Sequence, residues 1–208
     1  VLGNLERTAT NWRECSLSIR LSCLKNLTTV LHDNIYEASS LITEEMGKPL
    51  AEAKAEINKC IDLCHYYLEN TEKILTNKTI DCADKKVRVS LQPLGVVLGV
   101  MPWNFPFWQV FRSAVPALMA GNTYLLKHAE NVSGCAQMLE KLFALASFPK
   151  GVLQHLLIPK EFVETVIEFS QVQAVSFTGS VQTGRKIAAI SGKNLIKTVL
   201  ELGGNDPY

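Results

Sequence analysis

Two hydrophobic patterns divide the chain, the first typical of helices and the second of buried strands. From about residue 12 to about residue 75, apolar side chains recur every three or four positions, which predicts amphipathic helices. The clearest apolar stripe consists of Leu17, Leu21, Leu24, Leu27 and Leu31. Asn34 is a candidate N-cap for the next helix, and Gly47 with Pro49 would end that helix.

A third helix and then a hairpin are expected between about residue 49 and residue 92. On this helix we expect the apolar side chains of Ile57, Ile61 and Leu68 to face inward. We expect the charged side chains on the other face to be exposed to solvent, namely those of Glu52, Lys54, Glu56 and Lys59. Two short extended pieces surround residues 81–86, and Val87, Val89 and Leu91 then alternate with polar residues. This alternation predicts a hairpin whose loop is longer than a tight two-residue turn.

After Pro93 the chain alternates between strands and helices. Continuous apolar runs, typical of strands buried on both faces, occupy residues 96–101, 123–126, 152–158, 174–177 and 195–200. Amphipathic stretches separate these runs at residues 107–119, 132–146, 161–169 and 181–190. This order predicts an α/β fold with a parallel sheet covered by helices on both faces, preceded by a helical layer and a β-hairpin. In such sheets, ligands bind at the carboxyl ends of the strands.

Composition and charge restrict the class of protein and its partners. The chain has 208 residues, of which 47% are apolar, and its formal net charge is +1. Interleaved charges of both signs predict no polyanion-binding face, so nucleic acid is not an expected partner. No apolar run reaches the roughly 18 residues that span a bilayer, so no membrane partner is expected. The chain begins at Val1 rather than at methionine, and we expect this start to be an internal cut.

The cysteines favour a reduced protein without a metal. They are Cys15, Cys23, Cys60, Cys64, Cys82 and Cys135, and they show no paired framework. Cys60 and Cys64, with His65 beside them, could indicate a metal site. On a helix, however, these two cysteines are one turn apart, and no second pair of ligands has zinc-like spacing. Free thiols in a reducing, cytoplasmic environment are the better interpretation.

Four short motifs follow predicted strands, and two of them could bind a nucleotide. Residues 179–184 (Gly-Ser-Val-Gln-Thr-Gly) open a helix, where glycines let the backbone approach a pyrophosphate and free amides favour anionic oxygens. The spacing matches neither the GxGxxG fingerprint nor a Walker loop, and a plain tight turn is the alternative. Lys127 and Glu130 could hold the hydroxyls of an adenosine ribose, or form an ordinary ion pair in a solvated loop.

The other two motifs carry an amide and a carboxylate. Residues 102–106 (Pro-Trp-Asn-Phe-Pro) form a loop that two prolines stiffen, and this loop could aim the Asn104 amide at a developing oxyanion. The alternative is a loop of core aromatic side chains in which Asn104 caps the next helix. Glu201, within residues 201–204 (Glu-Leu-Gly-Gly), could act as a general base or lie in an exposed loop.

In this order and at these separations, the four motifs resemble the aldehyde dehydrogenase superfamily. The resemblance covers nearly the whole chain, and it includes residues 44–49 (Glu-Glu-Met-Gly-Lys-Pro) and 116–122 (Pro-Ala-Leu-Met-Ala-Gly-Asn). Within the superfamily, residues 101–110, 125–129 and 203–207 are most similar to bacterial NAD(P)-dependent succinate-semialdehyde dehydrogenases.

The resemblance implies a domain organisation and a mechanism. Residues 1–77 and 93–208 would form a Rossmann-like NAD-binding domain, and residues 78–92 would be a hairpin used in homo-oligomerisation. The catalytic cysteine would lie in a domain absent from this chain, which would be inactive alone. In the full-length enzyme that thiolate would attack the aldehyde, and Asn104 would stabilise the oxyanion of the thiohemiacetal. Glu201 would then activate the water that hydrolyses the thioester.

The resemblance also implies contacts with the ligands. The cofactor-binding positions would be Met101, Pro102, Trp103, Lys127, Glu130, Gly179, Ser180, Gly184, Leu202 and Gly203. Glu130 predicts NAD rather than NADP, because a carboxylate repels a 2′-phosphate, although His128 stands where the family often has proline. Trp108 and Arg112 share a helical face, and both would contact the substrate, a small acid semialdehyde. Arg112 would bind its far carboxylate, unless it is a surface arginine.

Succinate semialdehyde, oxidised to succinate, is the substrate that the resemblance implies, with another acid semialdehyde as the alternative. Two other classes of function stay open at this point. The chain could be a module that binds a dinucleotide without catalysis, or a structural fragment with a collapsed site. A following domain with a cysteine would favour the enzyme.

Overall fold

Four helices form the N-terminal part of the structure, a computed structural model that describes residues 5–204. They are α1 (Leu5–Glu14), α2 (Leu17–Asp33), α3 (Ile35–Met46) and α4 (Leu50–Leu75). The predicted leucine stripe on α2 is confirmed, because Leu24, Leu27 and Leu31 are fully buried. Gly47 ends α3 with a φ of 79°, which glycine adopts without strain, so the predicted stop is also confirmed.

One prediction about these helices is confirmed in position, and another is wrong. Asn34 is the N-cap residue of α3, as predicted, but its side-chain amide donates to the Val30 carbonyl oxygen at 2.7 Å and makes no capping hydrogen bond to α3. Glu56 was expected in solvent, whereas its side chain is buried. The reason is that a specific charged partner and two backbone amides surround the Glu56 carboxylate. Within residues 5–204, no helix has both the length and the apolar character needed to cross a membrane.

A hairpin follows α4. Its strands β1 (Lys78–Cys82) and β2 (Lys85–Val89) pair antiparallel, with Cys82 opposite Lys85. Only Ala83 and Asp84 join them, so the prediction of a longer loop is wrong. Neither of these two residues has a positive φ, so the turn requires no glycine.

The central sheet contains five parallel strands in the order β5-β4-β3-β6-β7. In chain order these are β3 (Val96–Met101), β4 (Thr123–His128), β5 (Leu153–His155), β6 (Val172–Gly179) and β7 (Lys197–Leu202). The crossover helices are α5 (Trp108–Met119), α6 (Ser133–Leu145), α7 (Val163–Ile167) and α8 (Val181–Lys193). The chain starts at the central strand β3, winds outward to β5, and then returns to β6 beside β3. This reversal opens a crevice at the carboxyl ends of β3 and β6.

Helices cover both faces of the sheet, and the predicted Rossmann-like α/β fold is confirmed. On one face, Val97, Met101 and Tyr124 pack against helices α2 to α6. On the other face, Leu98 and Leu125 join side chains of α1, α7 and α8. The alternation along each strand therefore places two hydrophobic cores around one sheet.

The strands carry further into the motifs than the apolar runs predict. Ladder pairing continues to Met101 opposite His128 and to Gly179 opposite Leu202. Lys127, Thr178 and Glu201 therefore lie within strands and not in loops after them. Polar residues can remain within the strands here, because their side chains reach the edge of the sheet while their backbone groups still form the ladder hydrogen bonds. The strand expected at residues 152–158 is shorter in the structure, because only residues 153–155, which form β5, pair with β4.

Candidate active site

A cleft of about 450 Å³ lies where β3, β6 and β7 reach the carboxyl edge of the sheet. Nine residues line it, three from each strand end: Pro102, Trp103, Asn104, Thr178, Gly179, Ser180, Glu201, Leu202 and Gly203. The parallel register brings these ends together, because Phe177 pairs with both Val100 of β3 and Leu200 of β7. Three of the four sequence motifs therefore share one cleft.

The loop at residues 102–106 presents its polar and aromatic side chains outward. Trp103 is 50% exposed and Phe105 is 44% exposed, so the alternative of core aromatic side chains is wrong. Within residues 5–204, the Asn104 side-chain amide makes no hydrogen bond, although it lines the cleft. An exposed amide held on a loop between two prolines keeps its N–H donors for a bound group.

Glu56 caps the helix that follows this loop, which is the role that the sequence suggested as an alternative for Asn104. Its Oε1 accepts hydrogen bonds from the backbone N–H groups of Phe107 at 2.8 Å and Trp108 at 3.0 Å. Its Oε2 lies 2.5 Å from the Lys48 ammonium, and both side chains are buried. The amides at the start of α5 are thus satisfied without Asn104.

Sequence reasoning missed Glu56, although a signal for it exists. On α4 the buried positions Ala53, Ile57, Cys60 and Cys64 recur every three or four residues, and Glu56 lies on this same face. A single carboxylate within an apolar stripe requires a buried partner. The Lys48 of the resemblance motif at residues 44–49 supplies that partner.

Glu201 pairs with Arg112 at the edge of the cleft. The Arg112 guanidinium lies 3.4 Å from Glu201 Oε2 and donates to the Thr178 hydroxyl at 3.3 Å. The Glu201 side chain is 53% exposed, so its surroundings in residues 5–204 are more solvated than its apolar sequence neighbours suggest. Arg112 is therefore not a free surface arginine, and its guanidinium reaches the cleft residues Thr178 and Glu201.

The turn from β6 into α8 is fixed by a side-chain cap and by two tightly packed glycines. The Ser180 hydroxyl oxygen accepts from the Thr183 N–H at 3.3 Å, which fixes the first turn of α8. Gly179 lies against the Phe177 ring, where an added Cβ would come within 2.6 Å of a ring carbon. Gly184 is buried, and a Cβ there would meet Leu202 at 2.4 Å. Gly184 therefore allows close helix–strand packing and does not line the cleft.

Lys127 and Glu130 lie on the same sheet edge, outside the cleft. The Lys127 ammonium is mostly buried, donates to the His128 carbonyl oxygen at 3.0 Å and lies 3.8 Å from Glu130 Oε1. Burial lowers the pKa of Lys127, and the carboxylates of Glu130 and Glu161 oppose this shift. Glu130 is 62% exposed at its side chain, which leaves its carboxylate available to a ligand.

His128 connects the segment that carries Lys127 and Glu130 to the loop at residues 102–106. Its Nδ1 accepts from the Ala129 N–H at 2.9 Å, so its Nε2 carries the proton and donates to the Pro106 carbonyl oxygen at 2.8 Å. In the sequence, the only sign of this link is the departure of His128 from the family's usual proline.

Two further predicted positions lie away from the cleft. Met101 is buried, and its carbonyl oxygen accepts from the Ala129 N–H at 3.0 Å. The Trp108 ring lies against the Lys59 ammonium, 4.0 Å from the ring centroid, on the side of α4. Their proposed ligand contacts stay predictions.

No cysteine in residues 5–204 lines the cleft. Burial raises the pKa of Cys64 to about 12, and it also raises the pKa of Cys60 and Cys135. These thiols are protonated near neutral pH and poor nucleophiles. Across the same residues, no three His, Cys, Asp or Glu side chains cluster as a metal-binding group.

Comparison with known proteins shows one family. The model of the aldehyde dehydrogenase family matches residues 4–208. An NAD(P)+-dependent succinate semialdehyde dehydrogenase of Escherichia coli (strain K12) is 42% identical over 198 residues, covering 95% of this chain and 43% of that protein. A probable NADP+-dependent succinate-semialdehyde dehydrogenase of Synechocystis sp. is 41% identical over 203 residues, covering 98% of this chain and 45% of that protein.

Solved structures show the same similarity. The crystal structure of succinic semialdehyde dehydrogenase from Streptococcus pyogenes, in complex with NADP+, matches with a TM-score of 0.95 and 33% identity. The match covers 99% of this chain and 45% of that structure's chain. The present chain thus spans less than half the length of these relatives.

Proposed function

Because this chain belongs to the aldehyde dehydrogenase family, we propose that it is the dinucleotide-binding part of an enzyme that oxidises succinate semialdehyde to succinate. Its relatives are succinate-semialdehyde dehydrogenases that use NAD or NADP. The nucleophilic cysteine of the full-length enzyme is proposed to lie outside residues 5–204, since no cysteine lines the cleft in that part.

The observation that carries this proposal is the shared cleft of Asn104, Ser180 and Glu201. An unpaired amide donor, a helix start and a carboxylate meet there, and these are the groups that an acyl-transfer reaction with a dinucleotide requires. Asn104 is proposed to donate to the oxyanion that forms when the thiolate attacks the aldehyde carbon. Glu201 is proposed to take a proton from the water that releases the acid.

The residues present fit a dinucleotide. The start of α8 presents backbone amides beside Ser180, and these amides are proposed to bind the pyrophosphate. Lys127 and Glu130 would hold the adenosine ribose one strand away. When bound, the nicotinamide supplies a hydride acceptor, while the groups of this chain orient the cofactor and polarise the aldehyde.

Glu130 is proposed to favour NAD over NADP. Its exposed carboxylate can accept hydrogen bonds from a free 2′-hydroxyl and would repel a 2′-phosphate. The relatives' names include both cofactors, so the preference needs a direct test. We expect Glu130→Gln to raise the affinity for NADP relative to NAD by about tenfold, the change that about 1.4 kcal/mol of lost repulsion produces. Titration calorimetry with both nucleotides measures this ratio, and tighter binding of NADP by the unchanged protein would contradict the preference.

Arg112 is proposed to bind the far carboxylate of the substrate. Its guanidinium lies 3.4 Å from one carboxylate, that of Glu201, and this contact supports the proposal. A second acid semialdehyde of similar length would fit the same group.

The decisive experiment compares the full-length enzyme with its Asn104→Ala variant. Reduction of NAD or NADP is followed by absorbance with succinate semialdehyde as the substrate. We expect activity in the unchanged enzyme and a loss in kcat of about 10²- to 10³-fold in the variant, the effect of removing one oxyanion donor. Nucleotide binding without aldehyde oxidation would show a binding module instead of an enzyme.

A further inference from the structure

A buried charge network supports the loop that carries Asn104. Glu56 holds the N–H groups of Phe107 and Trp108, and Lys48 pairs with Glu56 at 2.5 Å. The Lys48 ammonium also lies over the Phe105 ring, 3.7 Å from its centroid. The network therefore contacts the chain directly after Asn104 and again at the start of α5.

Few free rotations separate this network from Asn104. The chain between them contains only Phe105, which lies under Lys48, and Pro106, whose ring fixes its φ. The Pro106 carbonyl oxygen is held from the opposite side by His128. Each residue from Phe105 to Trp108 thus has a contact with Lys48, Glu56 or His128. A displacement of Glu56 is therefore expected to move the Asn104 backbone as well.

We propose that Glu56 and Lys48 are positioning residues that hold the backbone of the loop at residues 102–106 and thereby set where the Asn104 amide reaches the cleft. This inference rests on the proposed function of Asn104 as the oxyanion donor. Neither Glu56 nor Lys48 lines the cleft, so the pair is proposed to act through the loop. An oxyanion donor must lie within a fraction of an ångström of its working position, and this explains why a buried ion pair is placed here.

Glu45 provides a matched control for the capping role. Its carboxylate accepts from the N–H groups of Gly134 at 2.7 Å and Cys135 at 2.8 Å, at the start of α6. It is thus a second carboxylate that caps a helix from another element, but the helix is not the one after Asn104. A loss of helix capping alone would affect the two variants alike.

The test is a double-mutant cycle in the full-length enzyme, using Glu56→Ala, Asn104→Ala and the combination. Rates are measured over a range of succinate semialdehyde concentrations at saturating cofactor. We expect Glu56→Ala to lower kcat by about 10- to 100-fold with KM nearly unchanged, because the misplaced amide affects only the transition state. In the Asn104→Ala background, the same change should alter kcat by less than about twofold. Glu45→Ala should leave kcat at saturating cofactor within about twofold of the unchanged enzyme.

Other outcomes have separate meanings. Equal losses from Glu56→Ala with and without Asn104 would overturn the positioning role, and so would equal losses of kcat in Glu45→Ala and Glu56→Ala. Asn104→Ala without any effect would instead refute the proposed function. If Glu56→Ala fails to fold, Phe105→Leu replaces it, since Phe105 is 44% exposed and this change removes the ring against which the Lys48 ammonium lies. That variant should lower kcat by about threefold to tenfold, again only when Asn104 is present, and an unchanged kcat would contradict the proposal.

Discussion

The function of a charged side chain here depends on the partners that the fold brings to it. Glu56 and Glu201 are both carboxylates with apolar neighbours in the sequence, yet Glu56 is buried and Glu201 is more than half exposed. The difference follows from Lys48, which compensates the buried charge of Glu56, whereas Glu201 meets Arg112 at an open edge. Sequence patterns identify such carboxylates as candidates. Only their partners in the structure distinguish a carboxylate that supports the fold from one that is available for catalysis.

His128 predicts a pH dependence of stability. Burial lowers the pKa of His128, although its hydrogen bonds with Pro106 and Met101 and the nearby Glu45 oppose the shift. The unfolded histidine, with a pKa of about 6.5, therefore takes up a proton at a higher pH than the folded one. As the pH falls below about 6.5, stability decreases by up to about 1.4 kcal/mol per pH unit, until the folded pKa is reached.

Urea unfolding measured from about pH 7.5 to about pH 5.5 tests this sign. The free energy of unfolding should decrease with acidification in the unchanged protein and less steeply in His128→Gln, which cannot titrate. Parallel curves for the two proteins would assign the effect to other groups.

Arg112 predicts a selective effect on substrates. We expect Arg112→Leu to raise KM for succinate semialdehyde by about 10- to 100-fold, because a charge-assisted hydrogen bond contributes about 1.5–3 kcal/mol. KM for butanal, which lacks the far carboxylate, should change little. Any disturbance of Glu201 would lower kcat for both aldehydes alike, so the ratio of the two KM values isolates substrate binding. An equal increase for both would remove Arg112 from the substrate site.

At the scale of elements, close approach of strands and helices depends on missing side chains. A Cβ on Gly99 in β3 would lie 2.0 Å from the Tyr124 hydroxyl oxygen, and that hydroxyl is hydrogen-bonded to Ser113 of α5. Tyr124 is fully buried, so it cannot move aside without displacing α5. The glycine thus keeps β3, β4 and α5 in contact beneath the loop that carries Asn104.

Gly99→Ala should destabilise the protein by about 1–3 kcal/mol, the usual cost of overpacking a core. Combination with Tyr124→Val, which removes the ring, should cost less than the sum of the two single changes. Denaturant unfolding of the three variants gives this coupling energy. Strict additivity would show that the alanine is accommodated by another route.

The sequence predicts the elements well and their ends less well. Apolar runs lie within or beside all five parallel strands, although β3 and β4 are buried almost throughout and β7 is largely exposed. The ends are missed at Lys127, Thr178 and Glu201, since a polar side chain at the edge of a sheet can keep its backbone in the ladder. The cleft depends on the order of the strands in the sheet, and a single sequence does not reveal this order. The burial of Glu56 depends on contacts across about 50 residues of chain, and local patterns cannot supply these.

At the scale of the whole molecule, the hairpin is the element with the least internal support. Ile80 and Val87 lie opposite each other, Val89 follows on the same face, and all three are about half exposed. Two strands alone cannot bury such a face, so a second surface is expected to cover it. We propose homo-oligomerisation through this face, as the family resemblance implies.

Val87→Lys should therefore reduce self-association of the full-length enzyme, because it places a charge in the apolar face. Sedimentation velocity over a range of protein concentrations measures the shift to smaller species. Thr79→Lys is the matched control, since Thr79 pairs with Arg88 on the opposite face of the hairpin. The same sedimentation profile for Val87→Lys and the unchanged protein would place the subunit contact elsewhere.

The Lys48–Glu56 pair also has a consequence for the engineering of this fold. The candidate site residues lie along the edge of the sheet, but the carboxylate proposed to support them, Glu56, lies on α4, some 40 residues before β3 begins. A chimaera that joins the strands and loops of this chain to foreign N-terminal helices would keep all four motifs. Its Asn104 amide would nevertheless lose the support of Lys48 and Glu56. If Glu56 has the proposed positioning role, a chimaera of two relatives is expected to keep its full kcat only when α3 and α4 are exchanged together with the loop.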